Sequence, residues 1–404
     1  MAAARPYDLV LFGATGFTGR LTAEYLARAA PEGCRWALAG RDEARLTAVR
    51  AGLAAIDPGC ADLPLLVVDA ADRERLRDVA ASARVVVSTV GPYLRHGEPL
   101  VAACAQSGTD YVDLTGEPEF VDRMYLRHHE RAVATGARLV HACGFDSVPH
   151  DLGVLFTVEE LLRRGGPPAR ISVEGFVRVA GTVSGGTFAS AMTAFSRPRA
   201  MARAARARGE AEPGPKGRTV RTPVGRPHRS RVARAWAVPM PAIDPQVVSR
   251  SAAALDEYGP DFGYTHYAAV RRLPIALGGV AAVAVLALAA QLPLLREALG
   301  RLRKPGHGPG AEQRARSWFV VRFVARAQGG PTVFTEVSGG DPGYEETAKM
   351  LAESALCLAY DDLPPLAGQL TTAVAMGRPL IDRLVAAGIS FRVLDAPPRT
   401  APGR

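Results

Sequence analysis

The stretch Gly13-Ala14-Thr15-Gly16-Phe17-Thr18-Gly19 narrows the fold more than any other part of the chain. It directly follows the apolar run Asp8 to Phe12, and it opens a segment in which Leu21, Tyr25, Leu26 and Ala29 share one helical face. A strand handing over to a helix through three glycines lets backbone N–H groups approach a phosphate, because no Cβ stands in the way. The spacing G-x-x-G-x-x-G is a variant of the dinucleotide fingerprint. Arg20 stands where a P-loop needs Lys followed by Ser or Thr, so that loop is excluded. A structural turn or another nucleotide stays open on this motif alone.

Its surroundings favour the dinucleotide. Further strands are expected at Trp36 to Ala39, Leu65 to Val68, Val85 to Val90, Tyr111 to Leu114 and Leu139 to Ala142, with helical patterns between them. Their near-continuous apolar character suits a doubly wound parallel sheet covered on both faces. After Gly144 the rhythm changes. Ile171 to Ala180 reads as a strand, Trp318 to Ala327 and Thr332 to Ser338 as an antiparallel pair, and Tyr344 to Tyr360 and Ala375 to Ala387 as helices.

The end of the second strand selects the cofactor. NAD sites place Asp or Glu there, whereas this chain has Gly40-Arg41, leaving room and a bidentate partner for a 2′-phosphate. NADP(H) is therefore expected over NAD(H), an exposed arginine beside Asp42 being the plain alternative. Asp69, ending the third strand, is placed for the adenine side. Ser88, Thr89, Gly91, Pro92 and Tyr93, after the fourth, are placed for the nicotinamide side. Either segment could instead be an ordinary turn.

Composition sets the wider limits. With 404 residues and 48% hydrophobic content the chain can bury more than one core. Five scattered cysteines (Cys34, Cys60, Cys104, Cys143, Cys357) form no C-x-x-C, and the N-terminus lacks signal-peptide order, so a cytoplasmic protein is expected. No histidine spacing matches a metal motif, so no metal is expected. The net charge of +9 points to an acidic partner, without a motif for nucleic acid. Twelve Lys/Arg against two Glu fall between Arg197 and Arg234, read as a mobile basic loop. Leu273 to Leu295 carries no charge over 23 residues and is flanked by Arg271, Arg272 and Arg296. It is either an Ala-rich buried helix or hairpin, or a membrane contact, lying in the interface or spanning.

The strings GATGFTG, STVGPY, YVDLTGE, GFDSVPHDLG and VSGGDPGYEETAKM together resemble the saccharopine dehydrogenase-like oxidoreductases, in the branch of bacterial trans-acting enoyl reductases. The similarity runs in order from Asp8 to Leu394. It implies a Rossmann domain over 1–145, an inserted α+β substrate domain over 146–340 that includes 197–234 and 273–295, and C-terminal helices over 341–404 returning to the first domain. It also implies enoyl reduction on a lipid-like or carrier-bound acyl group in lipid or glycolipid biosynthesis, with association at the inner face of the plasma membrane. An acidic acyl carrier protein is a candidate partner, and a homo-oligomer stays open. The Arg-rich insert and GQLTTAVAMG depart from the family pattern.

Such a reduction needs positioning, a dry pocket and a proton donor. Tyr93, Asp146 and His150 are the candidates, with Asp113 and Glu117 on the same side. Capping or packing is the plain alternative for each. His141 reads as a core residue. Tyr-x-x-x-Lys is absent, and only Lys216, Lys304 and Lys349 occur. The competing functions are an amino-acid dehydrogenase working at a C–N bond, whose pocket needs converging arginines, and an NADPH-binding protein without turnover.

Overall fold

Short apolar segments assemble into two sheets in a computed structural model that describes residues 5–166, 168–181, 185–215, 217–240, 242–292, 294–295 and 308–396. The first sheet holds β1 (Tyr7–Phe12), β2 (Trp36–Gly40), β3 (Leu65–Val67), β4 (Ala83–Ser88), β5 (Asp110–Asp113), β6 (Arg138–Val140) and β14 (Gly368–Leu370). All its pairings are parallel, in the order β14-β6-β5-β4-β1-β2-β3. Both faces are covered, which is why strand sequences such as Leu-Val-Leu-Phe need not alternate with polar residues. Leu9, Leu11, Val85 and Val87 face a core shared with helix Glu345–Tyr360. Val10, Val86, Tyr111 and Leu139 face the opposite core, beneath helices Arg73–Ser82, Glu98–Ser107 and Pro118–Thr135.

The second sheet is mostly antiparallel and runs β15-β13-β12-β7-β11-β10-β9, with β8 beside β11. Its strands are β7 (Ile171–Ala180), β8 (Thr219–Arg221), β9 (His228–Ser230), β10 (Ala235–Pro239), β11 (Asp261–Val270), β12 (Trp318–Ala327), β13 (Thr332–Gly339) and β15 (Ser390–Leu394). Helix Val148–Gly165 joins the two sheets and lies on β12 and β13. Gly153 permits that approach, because a Cβ there would sit 2.4 Å from the Phe323 ring. Next to it, the Thr157 and Thr335 hydroxyls share a hydrogen bond of 2.6 Å.

Three expectations need revision. The basic stretch is not one mobile loop. Helix Pro198–Ala211 packs on helix Pro118–Thr135, β8 and β9 follow, and β10 begins directly after the stretch. Several of its arginines are internal struts. Arg208 is buried over the Tyr125 ring and pairs with Asp122 and Glu212, while Arg218 donates to the carbonyls of Ala252, Ala253 and Leu255 at a helix C-terminus. The segment beyond 340 returns more than helices, since β14 extends the first sheet and β15 the second. The uncharged segment forms helix Leu273–Gln291, and a buried helix is ruled out by its surface. Only Ala276 and Ala290 are buried, while Ile275, Leu277, Val285 and Leu288 are exposed.

Candidate active site

β1 and β4 are the adjacent strands at which the sheet order reverses, so the loops after them diverge and leave a crevice. A cavity of about 1520 Å³ runs from this crevice to the second sheet. Gly13, Thr15, Gly16, Phe17 and Thr18 line it, as do Arg41, Asp69, Thr89, Gly91, Pro92, Tyr93, Asp146 and His150. Ala14, Gly19 and Ser88 do not. Ala14 is core, and Ser88 is buried with its carbonyl accepting from the Tyr93 hydroxyl.

The glycine loop has the shape that a pyrophosphate needs. Gly13 adopts φ +93°, and the Thr89 hydroxyl donates to its carbonyl at 3.0 Å, tying the β1 loop to the β4 loop. Gly19 lets helix Phe17–Ala29 start directly against Gly13, because a Cβ there would lie 2.2 Å from the Gly13 carbonyl oxygen. The first amides of a helix have no intrahelical acceptor, and at this helix Gly16 supplies no capping side chain. By contrast, Asp42 and Asp72 cap the helices that follow β2 and β3. The amides of the first helix are thus left for an anion, where the helix dipole also favours it.

At the far end of the loop Arg41 is exposed, lines the cavity and forms no ion pair with a described residue. Gly40 before it keeps the strand end open. The residues therefore fit a dinucleotide carrying a 2′-phosphate. Replacing Arg41 with Ala is expected to weaken NADPH binding roughly ten- to hundredfold, the worth of a charge-assisted pair, and to leave NADH binding within about twofold. Paired fluorescence titrations check this, and equal losses for both cofactors would remove the assigned role.

Of the residues considered for proton transfer, Tyr93 is already occupied. Its hydroxyl donates to the Ser88 carbonyl at 3.0 Å and accepts from the Leu114 amide at 3.2 Å. Burial, with the Asp113 charge adding to it, holds its pKa well above the usual value. Glu117 is a structural acceptor for the Tyr93 and Leu94 amides and the Ser190 hydroxyl. Asp113 accepts from the amides of Thr115 and Ala142 and contacts His141 Nδ1 at 2.7 Å. Asp146 differs from these. It is half-buried on the cavity wall, and Gly116 makes room for it, since a Cβ at 116 would lie 3.1 Å from its Oδ2. Burial pushes its carboxyl up to about 6, with the Asp244 charge acting in the same direction and His150 opposing.

Sequence reasoning missed Asp244 and His266. Asp244 opens helix Asp244–Ala254 and also lines the cavity, and its Oδ1 lies 2.9 Å from His150 Nδ1. His266, on β11, approaches the other oxygen at 3.6 Å. Burial pulls its pKa down to about 4, although Asp244 acts against this. Asp244 precedes Pro245 at a helix start, so in sequence it looks like an ordinary cap, and nothing local links it to positions 150 and 266.

Beyond the crevice the wall changes character. The second sheet, the helices beside it and the apolar helix contribute Val179, Ala194, Phe195, Met201, Met240, Ile243 and Leu288, and no Lys or Arg among their described residues lines the cavity, whereas Arg41, Arg73 and Arg95 line it from the first sheet's side.

Known proteins match this chain along most of its length. Residues 9–140 match the family described as the saccharopine dehydrogenase NADP binding domain. A Mycobacterium tuberculosis protein bearing the trans-acting enoyl reductase name is 40% identical over 97% of this chain and 98% of its own length. The trans-acting enoyl reductase of Mycobacterium leprae is 36% identical, over 95% of this chain and 97% of its own. In three dimensions, apo saccharopine dehydrogenase (L-Glu forming) from Saccharomyces cerevisiae superposes with a TM-score of 0.53 at 13% identity, covering 96% of this chain and 100% of its own. That likeness concerns the fold.

Proposed function

Because this chain belongs to the saccharopine dehydrogenase-like oxidoreductases, in the trans-acting enoyl reductase branch, we propose that it reduces an enoyl double bond on a lipid-like acyl chain. It is an NADP(H)-dependent reductase, and bound NADPH supplies the hydride. The observation that carries the substrate class is the apolar cavity lining from Val179 to Leu288, which includes no Lys or Arg among the described residues. A saccharopine-type substrate carries several carboxylates, each of which needs a cationic partner when buried. The lining contributed by the second half of the chain offers an acyl chain apolar contact and carries no cation for a carboxylate, Arg95 and His96 being contributed from beside Tyr93.

The chain's own residues then divide the work. The loop amides and Arg41 hold the cofactor at the crevice, and the apolar wall aligns the acyl chain and excludes water. Asp146 stands on the wall as the proton donor to the substrate α-carbon.

Helix Leu273–Gln291 supports a membrane setting. Its mean hydropathy is 2.4 with 11% buried, and Arg271 and Arg272 precede it. Ala287, Leu288 and Gln291 at its end line the cavity. The reading is a helix lying in the inner face of the plasma membrane, with the cavity mouth turned to the lipid. Arg199, Arg203 and Arg206 form an exposed stripe on helix Pro198–Ala211, beside the cavity residues Pro198 and Met201. They suit the acidic surface of an acyl carrier protein.

The test is NADPH oxidation with medium- and long-chain enoyl thioesters, free and carrier-bound, against saccharopine and related amino acids. Turnover with thioesters alone is expected, and turnover confined to amino acids would overturn the reading. In a separate sedimentation assay with anionic phospholipid vesicles, Leu277→Glu with Val285→Glu is expected to cut the bound fraction at least about tenfold, two charges in an apolar phase costing more than that factor. Unchanged sedimentation would remove the membrane contact.

A further inference from the structure

His150, Asp244 and His266 meet at one point although they come from helix Val148–Gly165, helix Asp244–Ala254 and β11. Their ligating atoms all lie within 4.8 Å of one another, and each side chain is at most 2% exposed. The two contacts with Asp244, at 2.9 and 3.6 Å, are close without being hydrogen bonds. His150 Nδ1 and Nε2, Asp244 Oδ1 and His266 Nε2 are all buried without a hydrogen-bond partner. Buried polar atoms at such distances ordinarily turn toward one another. Here they converge on a shared centre.

A second observation concerns His266. Its Nδ1 lies 2.9 Å from the Tyr264 hydroxyl, leaving Nε2 to face Asp244. Metal-bound histidines are held in this way, with one ring nitrogen fixed by an outer partner and the other turned to the ion. Tyr264 is itself fully buried, so the ring has no freedom to turn toward water.

We propose that His150, Asp244 and His266 bind a divalent transition cation of the zinc class. Two imidazoles and one carboxylate are a borderline donor set that suits such an ion and does not suit magnesium or calcium. Three protein ligands leave a fourth position open, and His150 and Asp244 both line the cavity. Ion binding stands independently of the acyl substrate reading. Only the consequence that the ion would polarise a substrate carbonyl oxygen rests on it.

The test uses tag-free full-length protein, stripped with chelator, incubated with Zn²⁺ or Co²⁺ and desalted. About one ion per chain is expected by elemental analysis, with visible absorption of low-symmetry Co²⁺. Asp244→Asn, which keeps the shape and removes the charge, and His150→Ser are each expected to lose the ion and the absorption. Both are expected to bind NADPH normally, which reports a folded chain without relying on turnover. Wild-type protein retaining less than about a tenth of an ion per chain would overturn the proposal, as would either folded variant binding Co²⁺ as the wild type does. A variant that fails to bind NADPH passes the decision to the other and to the wild-type stoichiometry.

Discussion

Gly19→Ala is expected to lower NADPH affinity at least about a hundredfold. The added Cβ would lie 2.2 Å from the Gly13 carbonyl oxygen and 2.9 Å from the Gly13 carbonyl carbon. Both are backbone atoms, so no rotamer change relieves the overlap. Either the helix start retreats or the Gly13 turn opens, and Gly13 is already held at φ +93° by the Thr89 hydroxyl. The amides facing the pyrophosphate then lose their common focus. Each hydrogen bond to a charged group is worth about 1.5–3 kcal/mol, so misplacing two of them is enough for the stated loss. Titration by intrinsic fluorescence measures it, with far-ultraviolet circular dichroism as the folding control. Binding within about threefold of wild type would show that the loop does not grip the cofactor as described.

Asp146→Asn is expected to reduce kcat by about 10²–10⁴-fold while leaving NADPH affinity unchanged, because an amide keeps the shape of the carboxyl and has no acidic proton to hand over. The carboxyl is on the cavity wall and forms no salt bridge with a described side chain, whereas Asp113 and Glu117 are spent on backbone amides. Gly116→Ala is a milder companion. Its methyl group would sit 3.1 Å from Asp146 Oδ2 and displace the carboxyl by a few tenths of an ångström without altering its chemistry. A graded fall in kcat, small for Gly116→Ala and large for Asp146→Asn, separates proton delivery from mere packing. Retention of a third or more of kcat by Asp146→Asn would assign the proton to another group.

The cofactor half of the molecule was legible because its signals are local. A strand, a glycine loop and the first turn of a helix occupy thirteen consecutive residues from Tyr7 to Gly19, and the next five strands of the sheet are placed from apolar runs alone. Strand ends moved by one to two residues, as at β4, which stops at Ser88 and frees Thr89 to tie down Gly13. The substrate half was much less legible. Helix Pro198–Ala211 looks like a loop in sequence because it sits in a stretch rich in Arg, Pro and Gly and has no large apolar residue but Met201, and its fixed position depends on partners such as Glu119 and Asp122, about 80 residues away. Asp244 and His266 carry no motif, and only β11 and the helix starts bring them to His150. Exposure of helix Leu273–Gln291 was equally out of reach, because an uncharged Ala-rich run has the same composition in a core and on a surface.

Strand β14 contributes only Gly368, Gln369 and Leu370 to the first sheet, yet it occupies the edge beside β6. The nucleotide-binding half is therefore discontinuous in the chain. As the polypeptide leaves the ribosome, the face later covered by helix Glu345–Tyr360 and the edge of β6 stay uncovered until residues 360 and 370 have been made. The amino-terminal 145 residues are in this sense an unfinished object, and a piece that completes its own sheet has to run on through Leu370.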